Sequence, residues 1–240
     1  MDIGNTRTKW VYWDSHQPIG KLAAQGFVAT RSMPLATLFQ GPRPEQFYVA
    51  NVAGESVGRR LTSHAPSGWP PLQFIRVDPH FGDIRLAYQH VESFGVDRWL
   101  AMHAAWELEH SSAVIADCGS AVTLDLLDAE GKHHGGMIFP GLSLMRSALA
   151  MKNHAVKVDD KRVEHSLGDN TLDGVNIGCE TAIAGAIEYG MRYIAGLDMN
   201  VRCLLTGGDA DRIQTRLRLH GSVCDDLVLQ GMAIIARTRQ

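Results

Sequence analysis

A short motif that occurs twice constrains the fold of this chain of 240 residues more than any other feature. Residues 2–6 read Asp-Ile-Gly-Asn-Thr, and residues 117–121 read Asp-Cys-Gly-Ser-Ala. Each copy leads into an alternating stretch, residues 8–13 or 122–127, and such alternation predicts a strand. Two hairpin-opening units of the same kind in one chain indicate a duplicated domain.

Strands and helices alternate along the rest of the chain. In the first half, strands are predicted at 47–52 and 72–77 and helices at 55–64 and 96–109. In the second half, strands are predicted at 136–139 and 201–205 and a helix at 178–195, after a turn at 128–131. Alternating elements predict sheets covered by helices, an α/β fold. A polar break near residues 110–112 places the predicted domain boundary between residues 111 and 112.

Composition excludes several classes of function. The net charge of −3 argues against a nucleic-acid-binding or membrane-surface protein. The longest apolar runs are too short to span a bilayer, and the first residues do not form an apolar signal region. The four cysteines lie far apart without a Cys-x-x-Cys pair, which predicts buried, reduced thiols in a cytoplasmic protein.

The repeated motif is well suited to holding phosphates. Glycine lets the backbone approach an anion closely, and consecutive amide groups can donate to its oxygens. The aspartate offers a carboxylate to a divalent ion or its water shell, and Lys9 offers a positive charge. Either copy alone could be an ordinary hairpin turn. Two copies, together with the Gly207-Gly208 turn between a strand and a helix, favour phosphate binding.

Asp97 and Arg98 lie at the start of a predicted helix, and two interpretations stay open from the residues alone. The carboxylate could simply stabilise the helix N-terminus through the dipole. Alternatively, Asp97 could be a general base beside an arginine that binds a substrate carboxylate.

His133 and His134 are predicted on an exposed hairpin turn. A metal site there is not expected, because the sequence has no third ligand at a suitable spacing.

Five segments in order resemble the type III pantothenate kinases, a class that includes the Bvg accessory factor-like proteins. These segments are residues 2–9, 95–99 with Tyr88 before them, 117–123, 135–141 and 206–210. The family belongs to the actin-like ATPase superfamily. The resemblance therefore implies two ribonuclease H-like domains, here 1–111 and 112–240, each with a mixed sheet flanked by helices.

The resemblance also implies a reaction and its site. ATP would phosphorylate pantothenate to 4′-phosphopantothenate, the first step toward coenzyme A, with Asp97 as the general base. The implied ATP-binding residues are Asp2, Ile3, Gly4, Asn5, Thr6, Arg7, Thr8, Lys9 and Ser120. The implied substrate-binding residues are Tyr88, Gly95, Val96, Asp97, Arg98 and Thr171.

Cofactors and a partner follow from the same resemblance. Asp117 would help to bind an activating monovalent cation, K⁺ or NH₄⁺, and Mg²⁺ would accompany the nucleotide. Thr171 would reach the substrate of the partner subunit, which implies a homodimer with shared sites and the helix from about residue 170 at its interface.

Two rival functions remain open at this stage. The chain could be another small-molecule kinase of the superfamily, acting on a sugar or on acetate, or a non-catalytic accessory protein that keeps the fold. The joint presence of Asp2, Lys9, Asp97, Arg98 and Asp117 favours the kinase. Because only Met1 precedes Asp2, the first strand is expected to be short or to begin upstream.

Overall fold

The computed structural model of the protein describes residues 1–14, 16, 18–19, 26–32, 34, 38–152, 159, 162–198 and 200–239. Contacts divide the chain into two compact units. The first unit comprises Met1–Ile84, Tyr88–Leu108 and Asp225–Gln240, and the second comprises Arg85–Ala87 and Glu109–Cys224.

A five-stranded mixed sheet forms the first unit. Its strands are β1 (Asp2–Ile3), β2 (Arg7–Trp10), β3 (Gly26–Ala29), β4 (Phe47–Asn51) and β5 (Leu72–Phe74). Their order is β3-β2-β1-β4-β5. The central strand β1 pairs antiparallel with β2 and parallel with β4.

The second unit repeats this topology. Its strands are β6 (Ala113–Cys118), β7 (Ala121–Leu127), β8 (His133–Pro140), β9 (Arg202–Thr206) and β10 (Ser222–Val223). The order β10-β9-β6-β7-β8 again places a central strand, β6, between an antiparallel and a parallel neighbour. Two sheets of the same topology confirm the predicted α/β fold class and the duplication.

Six α-helices lie in the described residues. They are α1 (Glu55–His64), α2 (Val96–Glu109), α3 (Leu142–Lys152), α4 (Thr171–Ala195), α5 (Ala210–Gln214) and α6 (Leu227–Thr238). Across the described part of the chain, no helix combines the length and apolar character needed to cross a bilayer.

The apolar face predicted for α4 is the face that forms the core of the second unit. Ile183, Ile187 and Ile194 are fully buried there. Gly190 lies on the same face, where an added Cβ would meet Leu124 and Leu126 of β7 at 3.0 and 3.1 Å. Because residue 190 is a glycine and has no side chain, α4 packs directly on the sheet.

Helix α4 begins at Thr171, seven residues before the start predicted from the residue pattern and close to the start at about residue 170 that the resemblance implies. The Asn170 side chain accepts a hydrogen bond from the Asp173 N–H at 3.0 Å, a cap for the first turn. The signal was present in the sequence as an asparagine with an acidic residue three positions later.

The expectation that His133 is exposed on a hairpin turn is wrong. The predicted turn at 128–131 is present, with the Gly131 N–H donating to Asp128 O at 3.1 Å. Strand β8 starts directly afterwards, at His133. This imidazole is 1% exposed, and its Nε2 lies 3.0 Å from Oδ1 of the buried Asp125 on β7. The contact with the Asp125 carboxylate offsets the free-energy cost of burying the polar imidazole ring.

Helix α6 packs on α2 through a glycine. A Cβ added at Gly231 would lie 2.0 Å from the carbonyl oxygen of Leu100, closer than two atoms can approach. The close contact explains why residues 225–240 group with the first unit. The compact units therefore differ at the C-terminus from the predicted division into 1–111 and 112–240, which stays a prediction.

We expect Gly231→Ala to destabilise the protein by about 1–3 kcal/mol, since the added methyl group must push two helix backbones apart. The midpoint of thermal unfolding measures this effect.

Gly196→Ala provides the control at the end of α4. Its φ of −69° suits any residue, and an added Cβ would make ordinary contacts of 3.4 and 3.8 Å. An unchanged midpoint for Gly231→Ala would contradict the close packing of α6 on α2.

Candidate active site

A tight hairpin carries the first copy of the motif. Strand β1 ends at Ile3, β2 begins at Arg7, and Gly4 lies where the chain turns. The Gly4 N–H donates to the Arg7 carbonyl oxygen at 3.0 Å, and a Cβ at Gly4 would lie equally close to that oxygen. Asn5 and Thr6 form the exposed tip. The residues 4–6, here called the first loop, thus present main chain and small polar side chains to solvent.

Strand alternation separates the predicted ATP-binding residues into two faces. Asp2 pairs with Lys9 across the hairpin, and Ile3 pairs with Thr8. Ile3 and Thr8 are fully buried, so their side chains face the interior of the first unit. Asp2 and Lys9 share the other face, where Lys9 forms an ion pair with the Asp226 carboxylate. This partner, 217 positions away, could not be predicted from the sequence.

Asp97 occupies the first turn of α2, where glycine makes room for it. The Trp99 N–H donates to the Gly95 carbonyl at 3.1 Å as the helix begins. A Cβ at Gly95 would lie 2.5 Å from Asp97 Oδ1. That same oxygen accepts the Arg98 N–H at 2.8 Å. The unpaired amides of a helix N-terminus favour negative charge, so the carboxylate is well placed as an anion and a proton acceptor.

Arg98 is held between two aromatic rings. Only 6% of this residue is exposed. Its guanidinium carbon lies 4.4 Å from the centre of the Phe94 ring and 5.5 Å from that of Tyr88. Its Nη1 also donates to the Tyr88 hydroxyl at 3.1 Å. A guanidinium stacked on aromatic faces keeps its charge and a fixed orientation, which suits recognition of a carboxylate.

The structure therefore brings four of the predicted substrate-binding residues together in the first unit, namely Tyr88, Gly95, Asp97 and Arg98. It adds Phe94, which the sequence reasoning missed. An aromatic residue directly before the glycine was the available signal. Val96 is buried, and its side chain packs in the interior of the first unit.

The second copy of the motif forms a hairpin turn in the second unit. Gly119 and Ser120 connect β6 to β7, and the Gly119 N–H donates to Ala121 O at 3.2 Å. The Gly141 N–H donates to Ser120 O at 3.0 Å. A Cβ at Gly141 would lie 2.1 Å from the Gly119 carbonyl oxygen. The residues 119–120, here called the second loop, are thus held in place by close packing against Gly141.

The turn after β9 lies directly against the end of β6. Gly207 has a φ of 91°, and a Cβ there would lie 2.4 Å from Asp117 Oδ1. The Asp209 N–H donates to Cys118 O at 3.0 Å. Carboxylate oxygens of Asp117 and Asp209 are the type of ligand that hard cations prefer. Within the described residues, no group of three or more His, Cys, Asp or Glu side chains forms a metal site.

Thr171, the remaining predicted residue, is exposed at the first position of α4. It lies in the second unit, as do Asp117 and Ser120. Asn170 caps the helix directly before it, so the position of Thr171 is fixed by the start of the helix.

A cavity of about 640 Å³ lies in the first unit, and its wall includes Met1 and Trp10, which flank the predicted ATP-binding residues 2–9. Aromatic side chains, among them Trp10, Phe47 and Trp69, line it. None of the predicted site residues contributes to its wall. The arrangement of Asp97 and Arg98, which offers a defined chemistry, is therefore the stronger indication of the active site.

Thiol reactivity tests the packing of the 207–209 turn against the end of β6. Burial, reinforced by the negative charges of Asp117 and Asp209, raises the pKa of the Cys118 thiol. Burial also raises the pKa of Cys203 to about 12 and that of Cys179 above its usual value. A raised pKa means less thiolate at neutral pH and slower alkylation. We expect iodoacetamide to label the half-buried Cys224 first in the folded protein, as measured by mass spectrometry of peptides. Rapid labelling of Cys118 would contradict the packing of the 207–209 turn against β6.

Comparison with known proteins identifies the family. A sequence model described as type III pantothenate kinase matches residues 1–192. The type III pantothenate kinase of Nitrosospira multiformis is 34% identical over 239 residues, which cover 99% of this chain and 90% of that protein. The enzyme of the same name from Dechloromonas aromatica is also 34% identical over 239 residues and covers 98% of this chain and 97% of its own.

Solved structures share the fold. A protein from Campylobacter jejuni, described as a Baf family transcriptional activator, superposes with a TM-score of 0.63 at 19% identity, covering 99% of this chain and 96% of that chain. A 2-dehydro-3-deoxygalactonokinase from Sinorhizobium meliloti gives 0.55 at 14% identity, covering 99% and 97%. These superpositions show that the chain shares its fold with both proteins. The family model over residues 1–192 and the relatives at 34% identity mean that the chain belongs to the type III pantothenate kinase family.

Proposed function

We propose that this protein transfers the γ-phosphoryl group of ATP to pantothenate, giving ADP and 4′-phosphopantothenate in coenzyme A biosynthesis. The observation that carries the proposal is the Asp97 carboxylate at the start of α2, directly beside an arginine fixed by Tyr88 and Phe94. Relatives named type III pantothenate kinase, 34% identical over nearly the whole chain, support the choice of substrate.

Asp97 is the proposed general base. It accepts the proton of the pantothenate hydroxyl as the hydroxyl oxygen attacks the γ-phosphorus. Phosphoryl transfer needs little covalent chemistry from a protein, so positioning and charge neutralisation supply most of the acceleration. The space that Gly95 leaves beside Asp97 Oδ1 supports this role, because it keeps the carboxylate at the helix end.

Arg98 and Tyr88 bind pantothenate in the proposal. Pantothenate carries a carboxylate, and a planar guanidinium can donate two parallel hydrogen bonds to such a group. The aromatic rings restrict the orientation of Arg98 before substrate arrives, which lowers the entropic cost of binding. Thr171, on the exposed start of α4, adds a hydroxyl to the site of a partner subunit.

The first loop and Ser120 of the second loop hold the phosphates of ATP. Glycine-rich turns direct amide N–H groups at anionic oxygens. Asp2 lies on the strand face opposite the buried Ile3 and Thr8 and would hold the water shell of the Mg²⁺ that travels with ATP, while Asp117 would help to bind K⁺ or NH₄⁺. Oxygen donors of this kind fit both hard cations. Lys9 lies beside Asp2, and its pairing with Asp226 fixes the ammonium group.

A homodimer formed through α4 completes the proposal. One face of this helix carries exposed small and aromatic residues, namely Gly178, Ala182, Gly185, Tyr189 and Tyr193. Tyr189 and Tyr193, which lie one helical turn apart, are 58% and 49% exposed, and these are high values for two neighbouring aromatic side chains. A second copy of the helix would cover this face. We also place the protein in the cytoplasm, where its ATP is available and its four cysteines stay reduced.

The first experiment is an ADP-release assay with ATP, Mg²⁺ and K⁺, with and without pantothenate. Pantothenate-dependent release supports the proposal. Release with a sugar or acetate instead would assign the protein to another kinase of the superfamily. A folded dimer without turnover on any of these substrates would indicate an accessory protein.

We expect Asp97→Asn to lower kcat by about 10²–10⁴-fold while pantothenate still binds, because only the proton acceptor is lost. Steady-state kinetics and pantothenate binding by calorimetry measure the two effects. Glu107→Gln, which removes one negative charge from the exposed side of the same helix, is the matched control. Near-normal turnover of Asp97→Asn would exclude Asp97 as the base.

Mixing inactive subunits tests the shared site. Asp97→Asn and Thr171→Ala homodimers should each be impaired, since every site lacks one group. A heterodimer combines the intact Asp97 of one subunit with the intact Thr171 of the other, and so regains one complete site. We expect activity above the sum of the two parents after denaturation and joint refolding. No gain in a mixture whose heterodimers are detected by native mass spectrometry would contradict the shared site.

A further inference from the structure

One buried residue, Thr30, holds the first loop at both of its ends. Thr30 follows β3 and is 4% exposed. Its N–H donates to the Thr6 carbonyl at 2.9 Å, and its hydroxyl donates to the Gly4 carbonyl at 2.7 Å. Thr8, fully buried, lies 3.0 Å from the same hydroxyl oxygen.

The direction of this chain of hydrogen bonds is fixed. A hydroxyl has one hydrogen to donate, and that of Thr30 is used on the Gly4 carbonyl. The Thr8 hydroxyl must therefore donate to Thr30. The result is a short relay of two buried hydroxyls that ends on the main chain of the first loop.

The relay sets the orientation of one peptide group. All described peptide bonds are trans, so the C=O of Gly4 and the N–H of Asn5 point in opposite directions. Because the hydroxyl of Thr30 fixes this C=O toward the interior, the N–H of Asn5 points outward at the exposed tip. Without the hydroxyl, the carbonyl would lose a buried partner and the peptide could rotate.

We propose that Thr30 is a positioning residue for nucleotide binding, which keeps the Asn5 N–H directed at the phosphates of ATP. The proposal rests on the assignment of the first loop to ATP. Thr30 does not touch the nucleotide in this proposal, and it acts through the peptide between Gly4 and Asn5.

Thr30→Val removes the hydroxyl and keeps the shape of the side chain, and Thr30→Ser keeps the hydroxyl. We expect Thr30→Val to weaken ADP binding about tenfold, the size of effect that one lost hydrogen bond to an anion can produce. Adenosine, which has no phosphate, should bind as in the wild type. Thr30→Ser should restore ADP affinity. In the kinase assay, Thr30→Val should raise KM for ATP and leave KM for pantothenate unchanged.

Thr62→Val is the matched control. The Thr62 hydroxyl donates to the Gly58 carbonyl at 3.1 Å on α1, in the same unit but away from the first loop. This variant should bind ADP as the wild type does. If Thr30→Val does not fold, Thr30→Ala supplies the same comparison, and thermal unfolding shows that each variant is folded at the assay temperature before dissociation constants are compared.

Either of two results with the Thr30→Val variant would overturn the proposal. ADP affinity unchanged in Thr30→Val would show that the hydroxyl does not position the loop for phosphate. Equal loss of ADP and adenosine affinity would show a general structural role. A wild-type protein that binds ADP but does not phosphorylate pantothenate would refute the proposed function and leave the Thr30 test intact, whereas one that binds no ADP would refute both.

Discussion

Close approach of backbone to backbone at the ends of the two central strands is the constraint on which the rest of this structure depends. Strands β1 and β6 each lie between one antiparallel and one parallel neighbour, so each ends at a hairpin turn and beside the end of a parallel strand. Gly4, Gly141 and Gly207 all lie at such points, where a Cβ would come within 2.1–3.0 Å of another atom. A side chain at any of them would push apart the segments that carry the acidic and polar groups. Glycine is therefore needed at these positions for close packing of the backbone, in addition to any contact with a ligand.

The two cationic side chains of the proposed site are stabilised in different ways. Lys9 lies against the carboxylate of Asp226, which neutralises much of its charge. Arg98 lies against the faces of Phe94 and Tyr88, which stabilise a cation and restrict the orientation of the guanidinium. The ring contacts thus fix the orientation of Arg98, whereas the ion pair with Asp226 fixes that of Lys9.

Much of the fold could be predicted from the sequence because its signals are local. The repeated motif, the alternation in β7 and the apolar face of α4 lie within short windows, and the structure contains each of them. The contacts that complete the candidate site are not local. Thr30 meets Gly4 across 26 positions, and Lys9 meets Asp226 across 217. No pattern in a single sequence links such pairs, because the three-dimensional fold brings them together. His133 was misplaced for the same reason, since only its partner Asp125 on the neighbouring strand explains its burial.

The packing of α6 on α2 has a consequence for synthesis on the ribosome. The first unit is assembled from three stretches of chain, and the last of them, Asp225–Gln240, is made after the whole of the second unit. Because domains generally fold as they emerge, the second unit has all its residues available while the first still lacks a helix of its core. The unit that begins the chain is thus the last to be completed. A nascent chain stopped shortly before residue 225 would expose the backbone of α2 around Leu100. In the folded protein, Gly231 of α6 covers this surface.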